Sequence, residues 1–189
     1  VQKGSIEPEV AKLLNERMAL VFTGKPRLAK NILQSVLRRW AHRSPEIVKT
    51  VQELVLGGSS AFHALECGDI EKLGLCMSSY WELKKRMSGE NSNAEPECVR
   101  HALQFLREKD LIIGGTLVGA GGGGFLALLA QNGKTSEDLK TAMTSSQCNI
   151  MPDSATWHTC TFSTEGLCVR TEQSPDHSSG AYMFSWHAE

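Results

Sequence analysis

At 189 residues and 41% hydrophobic, the chain holds enough apolar matter for one domain with a real core. Its formal net charge of −1 supplies no general attraction to nucleic acid or to a membrane surface, and neither is expected as a partner. There is no apolar signal segment at the start, and no stretch approaches the roughly 18 apolar residues a membrane-spanning helix needs.

The six cysteines (Cys67, Cys76, Cys98, Cys148, Cys160 and Cys168) include no C-x-x-C pair, so zinc-ligand spacing is missing and no metal site is expected. Reduced thiols in a cytoplasmic protein are the expected state. The chain begins at Val1 rather than at a methionine, which reads as a fragment or a processed product.

In chain order, residues 8–17 have helical periodicity at Val10, Leu13 and Leu14, with Pro8 at the start. Residues 18–22 (Met-Ala-Leu-Val-Phe) read as a short buried strand that Thr23-Gly24 ends. Leu28, Ala29, Ile32, Leu33, Val36, Leu37 and Trp40 recur at three- and four-residue spacing and predict an amphipathic helix over 26–42. Ser44 is the expected N-cap of the next helix, whose buried stripe is Ile47, Val48, Val51, Leu54 and Val55; residues 57–61 (Gly-Gly-Ser-Ser-Ala) interrupt that pattern.

Residues 69–87 are helical, with Ile70, Leu73, Met77, Tyr80 and Trp81 inward, and a polar loop follows over 88–95. A further helix covers 96–109, and a short one 136–144. Residues 157–162 and 167–171 alternate as two strands around a turn at 164–166. From 173 to 189 the sequence is polar and aperiodic and reads as a flexible tail, leaving 1–172 as the domain. Strands, then helices, then strands predict an α+β fold of helices packed on an antiparallel sheet.

The most unusual stretch is 117–130, Leu-Val-Gly-Ala-Gly-Gly-Gly-Gly-Phe-Leu-Ala-Leu-Leu-Ala. Glycine reaches positive φ without steric cost and lets other groups approach the backbone, but ordering it is entropically expensive. Linker glycines keep polar company; these lie between apolar runs, so a loop pinned by two buried strands is predicted. Gly119, Gly121 and Gly124 satisfy G-x-G-x-x-G, yet no long helix and no well-placed acid follow, so the dinucleotide reading fails on context. The segment 133–135, Gly-Lys-Thr, has Leu128 where a P-loop requires glycine, and that reading fails too.

Residues 118–125 resemble the third signature motif of the GHMP small-molecule kinases. Upstream, residues 20–29 (Leu-Val-Phe-Thr-Gly-Lys-Pro-Arg-Leu-Ala) resemble the Thr-Gly-x-x-Arg-x-Ala segment of that superfamily's fucokinase and heptose-kinase branch. Between them, residues 80–85 (Tyr-Trp-Glu-Leu-Lys-Lys) are similar to the matching helix of animal L-fucose kinases. The blocks occur in the family's order, and the resemblance covers roughly residues 8–171. It implies the ferredoxin-like C-terminal domain of these kinases, and an ATP- and Mg²⁺-dependent conversion of L-fucose to fucose 1-phosphate in GDP-fucose salvage.

The family's ATP phosphate loop and catalytic acid lie in an N-terminal domain, expected here as an intramolecular partner, and no catalytic residue is identifiable in this chain. Residues 57–61 resemble the core of that ATP loop, but the accompanying proline is absent and the segment follows the Thr-Gly block instead of preceding it. By resemblance, Gly119, Ala120, Gly121, Gly122, Gly123 and Gly124 form the phosphate-site loop, a donor-rich concavity suited to phosphoryl transfer.

Thr23, Gly24, Lys25 and Arg27 are the expected substrate or anion contacts. Cations at a helix start oppose the macrodipole, a conflict that a bound anion relieves. For Thr23 a helix-capping role competes with a sugar contact, and a tight structural turn competes with the phosphate role of the glycines. Two other functions fit the same motifs: a heptose or other sugar 1-kinase of this branch, and a non-catalytic product acting as a folding or interaction module.

Overall fold

The computed structural model describes residues 4–26, 29–89, 92–145 and 150–163. The strand predicted over 167–171, its turn at 164–166 and the tail at 173–189 lie outside them. The described elements are α1 (Pro8–Arg17), β1 (Met18–Phe22), α2 (Ala29–Ala41), α3 (Pro45–Glu66), α4 (Ile70–Ser88), α5 (Glu97–Glu108), β2 (Ile112–Leu117), β3 (Phe125–Ala130), α6 (Ser136–Thr144) and β4 (Thr156–His158). The four strands form one antiparallel sheet in the order β2-β3-β1-β4. A β-α-β-β-α-β succession with this order is the ferredoxin-like arrangement, as the family resemblance implies.

Alternation along the strands sorts side chains to two faces. Ala19 and Val21 of β1 and Leu126, Leu128 and Ala130 of β3 join Val99, Leu103 and Leu106 of α5 and Leu139 and Met143 of α6 in one apolar cluster. Leu129 turns the other way and packs with Leu14 of α1, Ala64 of α3 and Ile70 and Leu73 of α4. Helices therefore cover both faces of the sheet, and β3 is buried almost throughout. Each fully buried Leu, Val or Ile contributes about 1.5–3 kcal/mol relative to exposure, which makes β3 the best-anchored strand.

Local chemistry sets several boundaries. Asp69 caps α4 by accepting from the Lys72 amide at 2.9 Å, and Gly89 ends that helix at φ +95°. Thr135 and Asp138 form a reciprocal capping box at the start of α6. Arg17, 7% exposed, closes α1 onto the end of β3: its Nε and Nη2 donate to the Ala130 carbonyl at 3.1 and 2.8 Å.

Several expectations change: the predicted α3 stripe buries Ile47 but leaves Val55 66% exposed, Tyr80 of α4 is 39% exposed, and the strand predicted over 157–162 is confined to Thr156–His158. The helix predicted to be interrupted at 57–61 is a single 22-residue α3 in which Gly57 and Gly58 keep helical geometry. Ser44 occupies the N-cap position of α3 without a capping bond, and its hydroxyl is buried with no partner among the described residues. The apolar stripe of α2 is only partly covered: Ile32 is buried, while Leu33, Leu37 and Trp40 are 52%, 56% and 39% exposed.

Candidate functional site

β2 and β3 form a hairpin whose connection is the glycine segment. Val118 N–H donates to the Phe125 carbonyl at 2.8 Å and closes the base of the loop. Within it, Gly119, Gly121, Gly122, Gly123 and Gly124 all take positive φ, from +79° to +141°. An L-residue with a side chain rarely adopts such angles, so the run of glycines is the physical requirement of this path.

Two neighbouring turns hold the loop. On one side, the Gly124 amide donates to the Lys25 carbonyl at 3.0 Å, and the Thr23 amide donates to the Gly124 carbonyl at 2.8 Å. On the other, the Gly122 amide donates to the Ala94 carbonyl at 2.7 Å. The fit is close enough to exclude side chains: a Cβ on Gly121 would lie 2.7 Å from the Ala94 oxygen, and one on Gly123 would lie 2.8 Å from the Lys25 oxygen. The Thr-Gly block and the glycine block, nearly a hundred residues apart in sequence, are thus hydrogen-bonded to one another.

The third block reaches the same place. Trp81, fully buried in α4, donates its indole N–H to Glu95 Oε1 at 2.7 Å, and Lys85 Nζ lies 3.3 Å from the same oxygen. Glu95 directly follows Ala94, whose carbonyl anchors Gly122.

Thr23 is 0% exposed, and its hydroxyl has no hydrogen-bond partner among the described residues. It caps no described helix, since α2 begins at Ala29. Gly24 has φ +74° and packs under Ser154, so a side chain there would collide with the serine. Lys25 is exposed and serves the loop through its backbone oxygen. Arg27 lies outside the described residues. Among the described residues, the amides of Gly119, Ala120, Gly121 and Gly123 have no protein acceptor. The loop, bonded to the Thr23 backbone, therefore carries backbone donors without a protein acceptor, a feature suited to an oxyanion.

Sequence reasoning missed Ala94, Glu95 and Ser154. They sit in irregular segments where no periodicity marks an inward residue, and their contacts cross 28, 14 and 130 positions of chain respectively (Ala94 to Gly122, Glu95 to Trp81, Ser154 to Gly24). Among the described residues, no group of three or more His, Cys, Asp or Glu side chains is placed to hold a metal ion, and no helix is long and apolar enough to cross a membrane.

No model of a known protein family matches the chain. Curated relatives do. A bifunctional fucokinase/GDP-fucose pyrophosphorylase of Arabidopsis thaliana is 31% identical over 133 residues, and an L-fucokinase/L-fucose-1-P guanylyltransferase of Bacteroides fragilis is 25% identical over 130 residues. These matches cover 70% and 69% of this chain but 12% and 13% of the relatives, so the chain spans about an eighth of their length.

Among solved structures, L. major mevalonate kinase in complex with R-mevalonate superposes with a TM-score of 0.63 at 16% identity, over 80% of this chain and 42% of that one. Streptococcus pneumoniae phosphomevalonate kinase in complex with phosphomevalonate and AMPPNP gives 0.50 at 17% identity, over 66% of this chain and 35% of that one. At these identities the superpositions establish the fold.

Proposed function

We propose that this chain, a fucokinase-like portion of the GHMP kinase fold, forms the C-terminal part of an ATP-dependent sugar 1-kinase converting L-fucose to fucose 1-phosphate, in GDP-fucose salvage in the cytoplasm. The observation that carries this reading is the Thr23 hydroxyl, buried and unpartnered against a glycine loop whose amides face no protein acceptor among the described residues.

A buried hydroxyl left unpaired costs about 1–3 kcal/mol, and a ligand oxygen placed there recovers it. Phosphoryl transfer depends on positioning and on stabilising charge spread over phosphate oxygens, and backbone donors in a loop held by the Ala94 and Lys25 carbonyls suit both. Lys25 adds positive charge at the same turn, and Arg27, which matches the family's arginine in sequence, is the proposed substrate or anion contact.

The carboxylate adjoining the loop, that of Glu95, is already engaged by Trp81 and Lys85. The described residues around the loop therefore offer backbone donors suited to phosphate.

A second reading, a module active only with further polypeptide, is favoured by the short span of the curated relatives that the chain matches. The exposed Leu33, Leu37 and Trp40 of α2 support a partner surface such as the expected N-terminal kinase domain.

The test is transfer of the γ-phosphate of radiolabelled ATP to L-fucose, measured for the 189-residue chain and for a longer chain that supplies an N-terminal phosphate loop. The expected result is no detectable product from the short chain and fucose 1-phosphate from the long one. Robust product from the short chain would make residues 57–61 an active loop and overturn the division of labour. Product with a heptose and none with fucose would reassign the sugar.

A further inference from the structure

We infer that Glu95 is a positioning residue, whose carboxylate, fixed by Trp81 and Lys85, sets the Ala94 carbonyl that clamps the glycine loop. The inference rests on the phosphate-site reading of that loop and adds the device that holds it in shape.

Trp81 and Lys85 are one helical turn apart on α4, so both reach the same carboxylate. The indole N–H donates to Glu95 Oε1 at 2.7 Å, and the ammonium lies 3.3 Å from Oε1 and 3.5 Å from Oε2. Lys85 is itself steadied by Glu82 at 2.8 Å. The Glu95 side chain is 15% exposed and Trp81 fully buried, so these bonds are shielded from the screening that weakens surface pairs. A buried indole N–H without an acceptor is unfavourable, which ties the carboxylate to this position.

Ala94, 2% exposed, precedes Glu95 and cannot move independently of it. Its carbonyl accepts the Gly122 amide at 2.7 Å and lies where a Cβ of Gly121 would go. The path from α4 to the loop is therefore Trp81 and Lys85 to Glu95, one peptide to Ala94, and one hydrogen bond to Gly122. Gly124 is held from the opposite side by Lys25 and lies outside this path.

Residue-resolved amide exchange by NMR on the 189-residue chain tests the assignment, comparing wild type with Glu95→Ala, Glu95→Gln and the surface control Glu97→Ala. In Glu95→Ala, exchange at Gly122 should rise about tenfold or more, while Gly124 and the α5 amides stay within about twofold, because local opening is separable from global unfolding. Glu95→Gln, which still accepts from Trp81 but loses the Lys85 charge, should fall between, and Glu97→Ala should match wild type. Unchanged Gly122 exchange in Glu95→Ala, or a uniform rise across all amides, overturns the clamp. If Glu95→Ala does not fold, Glu95→Gln and Lys85→Met give the same reading at smaller amplitude. A Glu95-dependent loop in a long chain that transfers no phosphate would sustain the clamp and sink the kinase reading, so the two can fail separately.

Discussion

Gly74 of α4 and Gly114 of β2 pack backbone against backbone. A methyl group on Gly114 would overlap the Gly74 carbonyl, with the carbonyl carbon 2.6 Å and the Cα 2.9 Å away. Neither glycine has positive φ, so close approach is the reason for both. The β2 ladder shifts register between Ile112 and Gly114, which turns Ile113 and Gly114 together toward the helix.

Gly114→Ala and Gly74→Ala should each push helix and strand apart and cost about 1–3 kcal/mol, the usual range for overpacking a tight contact. A fall in Tm of several degrees by calorimetry is the expected reading. A melting point equal to that of wild type would mean that α4 and β2 are not in this contact.

The opposite sign is expected inside α3. Gly57 and Gly58 are helical, and a Cβ at either meets nothing within 4 Å. Replacing each with alanine should stabilise by about 0.5–1 kcal/mol through helix propensity alone. Because these residues are a helix interior and not a phosphate loop, activity of a longer chain should be unaffected. Loss of activity with a raised Tm would return 57–61 to the candidate site.

Gly121 and Gly124 separate backbone strain from crowding. Their φ values are +90° and +88°, yet Gly121 has the Ala94 oxygen in its path while Gly124 has open space. Gly124→Ala should cost about 1–2 kcal/mol, the usual penalty for forcing a side chain to positive φ. Gly121→Ala adds a steric clash and should cost more and disturb the Ala94–Gly122 bond. Equal Tm values for the two variants would show that the 92–96 turn yields freely and does not hold the loop.

How far these relations are visible in the sequence depends on their range. The strands flanking the glycines were legible because apolar runs on both sides cannot be a solvated linker, and β2 and β3 form there. The helix at 136–144 was legible from its periodicity, and Thr135 and Asp138 close it as a capping box. Residues 57–61 misled because glycine's low propensity is a local penalty that tertiary packing overrides. The α2 stripe misled in the other direction: periodicity shows that Leu33, Leu37 and Trp40 share a face, but not that anything in this chain covers it. The Glu95 contacts carry no local signal, since a glutamate in a polar loop looks the same whether it faces water or an indole.

Acid should loosen α6 first. The Asp138 carboxyl is held below its ordinary 3.8, chiefly by the Thr135 backbone amide and then by the Thr135 hydroxyl. A depressed carboxylate stabilises the fold above its unfolded pKa and loses that contribution as pH falls through the folded one. Protection factors of the α6 amides, exchange being referred to the intrinsic rate at each pH, should therefore fall as pH drops below about 4, and Asp138→Asn should flatten that dependence. Thr135→Ala should cost about 1 kcal/mol at neutral pH. An acid response identical in wild type and Asp138→Asn would remove the capping box as its source.

Thr23 gives the sharpest test, because its two possible roles predict opposite signs. If the buried hydroxyl is there for a ligand, the ligand-free fold pays for an unsatisfied group, and Thr23→Val removes that group while keeping the shape. The 189-residue variant should then melt at or above the wild-type temperature. The same substitution in a longer, active chain should lower kcat/KM by roughly tenfold or more, the equivalent of losing about 1.4 kcal/mol of transition-state binding. Thr23→Ser, which keeps the hydroxyl, should retain most activity and lose some stability through its missing methyl. If the hydroxyl instead served the fold, Thr23→Val would be destabilised and any surviving enzyme would keep its kinetics. Calorimetry and steady-state kinetics on both variants distinguish the two, and a destabilised but fully active Thr23→Val would remove Thr23 from the site.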